Sequence, residues 1–267
     1  SIPNRFAELR LEDSLLQTEI SQNGPVIVDL SNSTLTLSKP QNNSIMVRTL
    51  NATDSTIVGH INNSSTDDTA RRYAADHVVD KIRLRQTKLE GNLLGGDIAV
   101  YNSPEAGNST FYVSGQVPFE QKGQIEVTNS KVGDIKLLKG AENVAIKESP
   151  VNNIDFVGNP VDWDSKELTV RLRDGARVNK IRLPRGWNEP INVFIEKGAF
   201  VQNGIEFVDA DRHQESSRKF KYPDRGEVKV IISDGAAVLG LDTDKLISEG
   251  IQLYGQKYKY KPKAAKA

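Results

Sequence analysis

One short unit recurs along this chain and narrows its possible folds more than any other feature. In residues 166–183 apolar side chains alternate at Leu168, Val170 and Leu172, the pattern breaks at Asp174-Gly175-Ala176, and it resumes at Val178, Ile181 and Leu183. The same layout returns in residues 192–207, broken at Lys197-Gly198-Ala199, and in residues 229–241, broken at Asp234-Gly235-Ala236. Alternation with period two is the mark of a strand with one buried face. A Gly followed by Ala and a further strand reads as a bend, not as a two-residue hairpin. Upstream, serine takes the place of glycine, in Asn32-Ser33, Asp54-Ser55, Asn108-Ser109, Asn129-Ser130 and Glu148-Ser149, each followed by β-forming residues.

With these residues as anchors, and Thr87 filling one gap, the positions run 33, 55, 87, 109, 130, 149, 175, 198 and 235. The steps are 22, 32, 22, 21, 19, 26, 23 and 37. Removing about ten residues from the second step and about fourteen from the last leaves a period of about 22, and self-similarity at that spacing marks a solenoid. A β-sandwich or two small β-domains would also give many short strands, but no fixed register. The expected fold class is therefore all-β, a single-stranded parallel β-helix (solenoid) of about eight coils with short helical caps. At about 4.8 Å per coil it would form a rod about 40 Å long.

The chain divides accordingly. Residues 1–24 are expected to form an N-terminal helical cap, because Phe6, Leu9, Leu16 and Ile20 fall at helical spacing after Asn4 and before Asn23-Gly24-Pro25. The β-helix would span residues 25–241, with insertions near 62–81 and 208–226. The first insertion carries Ala- and Arg-rich text over residues 66–79 that reads as one short helix, and the second is polar and irregular. Residues 242–267 would supply a C-terminal cap of a helical turn or two and a basic tail; a solenoid needs such covers over its end strands.

Lys plus Arg balance Asp plus Glu at 35 each, so no global charge calls for nucleic acid or a membrane surface. The tail's Tyr258 and Tyr260 among lysines read as solvated. No apolar run approaches the ~20 residues of a membrane helix. Cysteine is absent, which removes disulfides, thiolate metal sites and cysteine nucleophiles. The opening residues do not read as a signal peptide, so an exported chain is expected to have lost one or to use another route. Asn-x-Ser/Thr triplets at Asn32, Asn42, Asn51, Asn62, Asn63 and Asn108 are better explained by turn chemistry than by glycosylation. Neither cofactor nor metal is expected, since no phosphate loop, dinucleotide fingerprint or nucleophile elbow occurs.

Three groups of residues are candidates for a site. Trp163, Trp187 and Tyr222 precede Gly175, Gly198 and Gly235 by 12, 11 and 13 residues, and Phe119 precedes Ser130 by 11. In register, the two tryptophans would share one corner of adjacent coils about 5 Å apart, either as a platform for sugar rings or as a plain packing stack. Arg171, Arg173, Arg177, Lys180, Arg182 and Arg185 alternate with inward residues, so several should face one exterior side, either as a solvated face whose charge protects the sheet edge or as planar forks for carboxylate or sulfate. Asp162 and Asp164 flank Trp163, while Asp209, Asp211 and His213 share the second insertion. Paired carboxylates are what glycosidic hydrolysis uses, yet Asp-x-Asp is common in polar loops.

Through the rungs from Val26 to Leu241 the chain resembles the pectate-lyase-like right-handed β-helix group. That resemblance implies extracellular polysaccharide enzymes, phage tail spikes, or bacterial adhesins and secreted virulence proteins. The polygalacturonase-type Asn-Thr-Asp, Asp-Asp, Gly-His-Gly and Arg-Ile-Lys series is not matched. Gly59-His60 is followed by Ile61, Lys81-Ile82-Arg83 is only a loose echo, and the pectate-lyase calcium carboxylates have no counterparts. The expectation is a non-catalytic, secreted or surface-located β-solenoid that binds a glycan, acidic ones included, or a partner protein. A polysaccharide lyase or glycoside hydrolase using Asp162, Asp164, Asp209, Asp211 and His213 is the second reading. A structural segment of an oligomeric adhesin or tail fibre is the third.

Overall fold

A computed structural model describes residues 8–19, 26–40, 44–76, 80–115, 123–157, 166–185, 187–208, 226–255 and 258–259. With 56% strand and 7% helix, the class is all-β. The alternation noted in the sequence becomes a twelve-stranded sheet. It begins Glu8–Glu12, Val26–Ser31, Val47–Thr53, Lys81–Arg85, Asp97–Tyr101 and Gly123–Thr128, and continues Ala141–Lys147, Leu168–Leu172, Ile191–Ile195, Val228–Ile232 and Ile251–Gly255. All of these pair in parallel; Tyr258–Lys259 adds an antiparallel strand at the end.

A four-stranded sheet holds Leu15–Thr18, Thr34–Leu37, Thr56–Val58 and Lys88–Glu90. A ten-stranded sheet runs from Ser44–Ile45 to Ala237–Val238 and includes Phe111–Val113, Ile135–Leu137, Pro150–Phe156, Arg177–Pro184, Phe200–Val201 and Ile205–Val208. In each sheet the strands stack in sequence order. The chain leaves the long sheet, visits one or both of the others, and returns one strand further along. These long parallel sheets are compatible with the expected β-helix.

The core lies between the sheets. Val28, Leu50, Ile82, Ile98, Ile125, Val144, Val170, Val193 and Val230 stand in one register file, each 1% exposed or less. Burying each such side chain contributes about 1.5–3 kcal/mol, and no single pass could bury its own file without the next.

Two kinds of corner end the strands of the long sheet. In the N-terminal part the corner residue has left-handed backbone, with φ between 45° and 50° at Asp13, Asn32, Asp54, Gln86, Asn102, Asn129 and Glu148. A hydroxyl residue follows. Ser33, Ser55, Ser103, Ser130 and Ser149 each donate Oγ–H to the carbonyl two residues back, at 2.6–3.0 Å. Each Oγ also accepts from its predecessor in the stack: Ser14 N–H reaches Ser33, Ser33 reaches Ser55, Thr87 reaches Ser103, Ser103 reaches Ser130 and Ser130 reaches Ser149, at 2.9–3.2 Å. From Asp174 onward the corner is one residue longer and turns on Gly175, Gly198 and Gly235, at φ 73°, 82° and 82°. It closes its own bond: Ala176, Ala199 and Ala236 donate to the carbonyls of Arg173, Glu196 and Ser233.

Residues 8–12 and 15–18 are strands, not part of an N-terminal helix. Leu9, Leu11 and Leu16 pack on the core in period two around the Asp13 corner, and pairing with Val26–Ser31 satisfies backbone groups that a short isolated helix would satisfy only marginally. Phe6 and Ile20 lie outside the described residues. The anchor after Thr87 is Ser103, not Ser109, so the steps there are 16 and 27 and the register is less even than about 22. Ser109 is buried elsewhere and donates to the Leu89 carbonyl.

The helix expected in the first insertion forms over Asp67–Asp76 (α1). Its Ala70 and Tyr73 join Leu94, Tyr112, Leu138 and Val157 in a second apolar cluster. Asp67 accepts from the Tyr112 hydroxyl and pairs with Lys136, and Tyr73 donates to the Asn62 amide oxygen. A short helix, Thr243–Ser248 (α2), follows the last Gly corner and buries Leu246.

Candidate ligand groove

Corner geometry decides which outward residues line up on the ten-stranded sheet. Val132 bridges Val151, Pro150 pairs with Arg177, and Arg177 pairs with Phe200. Lys131, Pro150, Arg177 and Phe200 therefore form one outward column across four successive passes. Asn152, Asn179 and Gln202 follow the in-register valines Val151, Val178 and Val201 and form a second column beside it. A loop containing Gly107, Asn108 and Thr110 makes the adjoining wall. Together these residues enclose an open groove of about 600 Å³, within the usual range for ligand pockets.

A chain of amides stiffens the floor. Asn203 donates its Nδ2–H to Asn179 Oδ1, Asn179 donates to Asn153 Oδ1 at 3.0 Å, and Asn153 donates to Asp134 Oδ1 at 3.2 Å. Asn152 Nδ2 and the Asn153 backbone N–H reach the same Asp134 oxygen at 2.8 and 3.1 Å. At Gly107 a Cβ would come within 2.7 Å of Lys131 Cδ, so the bare glycine backbone lets the lysine stem lie against the wall.

Two cations stand on this column. Lys131 and Arg177 are exposed and have no carboxylate partner among the described residues. Their neighbours on the expected basic strip are mostly neutralised. Arg171 pairs with Glu196 and lies over the Phe194 ring at 4.3 Å. Arg182 pairs with both Asp155 and Glu206, Lys180 with Glu206, and Arg185 with Glu249. Partial burial lowers the Arg182 pKa, but hydrogen bonds to Glu206 and Asp155 outweigh it and hold the guanidinium above its ordinary value. Burial raises Glu206, and the same bonds from Arg182 and Lys180 carry it below the usual carboxylate range.

The basic strip is not one face. Arg171 belongs to the long sheet and Arg182 to the ten-stranded sheet, with Arg173 exposed at the corner between them. The chain bends at Asp174-Gly175-Ala176, so alternation on either side of that bend points in different directions. Trp187 is likewise no platform. It is fully buried, donates its indole N–H to the Lys166 carbonyl at 2.9 Å, and meets Phe156 edge-on with centroids 5.5 Å apart. Asp162, Trp163, Asp164, Asp209, Asp211, His213 and Tyr222 lie outside the described residues, as does Phe119.

Of the expected basic residues only Arg177 belongs to the groove; Lys131, Phe200 and the amide columns were not singled out in the sequence. The signal was present. Lys131 and Pro150 stand one residue after their serine anchors, whereas Arg177 and Phe200 stand two after their glycines. The change of corner length conceals the column unless it is allowed for. Among the described residues no cluster of three or more His, Asp or Glu could hold a metal ion, and no helix is long and apolar enough to cross a membrane. No protein-family model, curated protein or solved structure matches this chain.

Proposed function

We propose that this chain is a β-solenoid that binds a glycan, without cleaving it, in the groove on its ten-stranded sheet. Each strand of the long sheet from Val26–Ser31 to Val228–Ile232 would open one coil, and Glu8–Glu12 and Ile251–Gly255 would extend the stack at its ends. The observation that carries the functional reading is the composition of the groove. It combines a partly exposed aromatic ring at Phe200, a row of amides at Asn152, Asn179 and Gln202, and two cations without carboxylate partners, all set by strand register. Aromatic faces take the apolar side of a sugar ring, while amides and guanidinium groups take its hydroxyls and acid groups. Free polysaccharide is met mainly outside the cell, which favours a secreted or surface location of the adhesin, tail-fibre or virulence-protein kind.

Binding is favoured over hydrolysis because Asp134 is the only carboxylate among the described residues that line the groove, and three N–H donors already engage it. Glycosidic cleavage uses a pair of carboxyl groups across the bond. A glycan array with the intact protein and with Asn179→Ala tests the reading. Signals on a restricted set of glycans that fade with the variant are expected; an array that stays blank, or is indifferent to the variant, would overturn it.

A further inference from the structure

Strand spacing gives the groove a ruler. Lys131 and Arg177 occupy the same column two strands apart, with Pro150 between them and Phe200 one strand beyond. Neighbouring parallel strands are about 4.8 Å apart, so the two cations are rooted about 9.6 Å apart along the column. A pyranose in an extended chain advances by nearly one strand spacing. A polysaccharide lying along the column would therefore meet, in order, a cation, an uncharged proline, a second cation and an aromatic face.

The amide floor fixes this order. The chain from Asn203 through Asn179 and Asn153 to Asp134 runs beside the column and holds the Arg177 pass in register with its neighbours. The Lys131 stem is seated against Gly107. Neither cation has a carboxylate partner among the described residues, so an incoming anion displaces no existing ion pair there. An anion opposite Pro150 would find no donor on that side chain, and leaving it dehydrated and unpaired is unfavourable.

Building on the glycan reading, we infer that the groove takes an anionic polysaccharide presenting a carboxylate or sulfate on one side at every second sugar. Lys131 and Arg177 hold two such successive groups, and Phe200 stacks on the next sugar. The Lys131 point charge accepts either anion, whereas the planar Arg177 fork suits bidentate pairing.

The test is fluorescence-polarisation binding of three labelled glycans of equal length: a hyaluronan fragment with a carboxylate on alternate sugars, a keratan sulfate fragment with sulfates and no carboxylates, and neutral maltooctaose. Labelled poly-glutamate serves as a non-sugar polyanion. At least one charged glycan should bind, the choice between them identifying the anion, and maltooctaose should not. Lys131→Gln and Arg177→Gln should each weaken binding about tenfold, and a rise in ionic strength should weaken it further. Phe200→Ala should weaken it as well, with each variant's thermal melt confirming the fold. The double variant Arg177→Gln/Pro150→Arg restores the number of cations at the wrong spacing and should not recover affinity. Full recovery in that variant, or poly-glutamate binding with the same dependence on Lys131 and Arg177, would overturn the inference. If maltooctaose binds as well as the charged glycans and responds only to Phe200→Ala, the charge ruler fails while the glycan reading stands. If no glycan here or on the array binds, the glycan reading fails and takes the ruler with it.

Discussion

Asp80 should make this protein less stable as pH rises, and replacing it with asparagine should remove the effect. The residue is 4% exposed and follows the insertion that carries α1. Its Oδ2 accepts from Asn62 Nδ2 at 3.0 Å, and the Asn62 amide also reaches the Leu94 carbonyl, the Val47 N–H and the Tyr73 hydroxyl. Burial pushes the Asp80 carboxyl up to about 8, with Arg48 pulling only partly the other way. Burial, and then Asp80 itself, push the Tyr73 hydroxyl well above its ordinary value, so Tyr73 stays a donor. Because the folded pKa lies above the ordinary 3.8, the folded state keeps a proton that the unfolded chain releases. The stability due to that proton is complete below about pH 4 and is lost progressively up to about pH 8. Over the three units from about pH 4 to about pH 7 the loss is about 4 kcal/mol, at 1.36 kcal/mol per unit.

Asp80→Asn has nearly the same shape, keeps an oxygen to accept from Asn62, and does not ionise. Urea unfolding of both proteins across that pH range isolates the effect as a difference, so other titrating groups cancel. The variant should be more stable by about 4 kcal/mol near pH 7, with the advantage vanishing near pH 4. A constant difference across the range would refute the reasoning, because it would mean that the Asp80 carboxyl titrates alike in the folded and unfolded chains.

Two further substitutions test the frame of the stack. Ser130→Ala removes the acceptor of the Ser103 N–H and the donor to the Thr128 carbonyl, and should cost about 1–3 kcal/mol in chemical denaturation. Trp187→Phe removes the indole bond to the Lys166 carbonyl and leaves a void, and should lower stability by about 1–3 kcal/mol while leaving the glycan affinity of the folded fraction unchanged.

How much of this was legible in the sequence depended on whether a feature was local. Alternation at Leu168, Val170 and Leu172, the bends at Gly175, Gly198 and Gly235, and α1 in its Ala-rich insertion are short-range patterns, and they appear in the structure where the sequence places them. Residues 8–18 offered both helical spacing and alternation, and the parallel partner strand Val26–Ser31 decided for the latter. Asn102-Ser103 and Asn108-Ser109 are equally good corners locally; only the N–H of Thr87 and the hydroxyl of Ser130 on adjoining passes select Ser103. The basic strip looked continuous because a sequence pattern does not record the direction of a bend. The sequence left Trp187 open between a sugar platform and a packing stack, because the burial that decides for packing depends on a carbonyl 21 residues away. The groove is built across passes and has no signature within any one of them.

The serine corners also give the stack a direction. Each N–H in the ladder is completed by a hydroxyl from the following pass, never from the preceding one. Peeling off an N-terminal pass leaves the next hydroxyl one donor short but still bonded to its own strand, a small loss. Removing a pass from the other side takes the acceptor away from an N–H, which only water can then replace. The glycine corners keep the same direction with backbone carbonyls, Gly175 N–H reaching Gly198 and Gly198 N–H reaching Gly235. Through both kinds of corner the stack is therefore polar, each pass presenting an N–H that the next one completes.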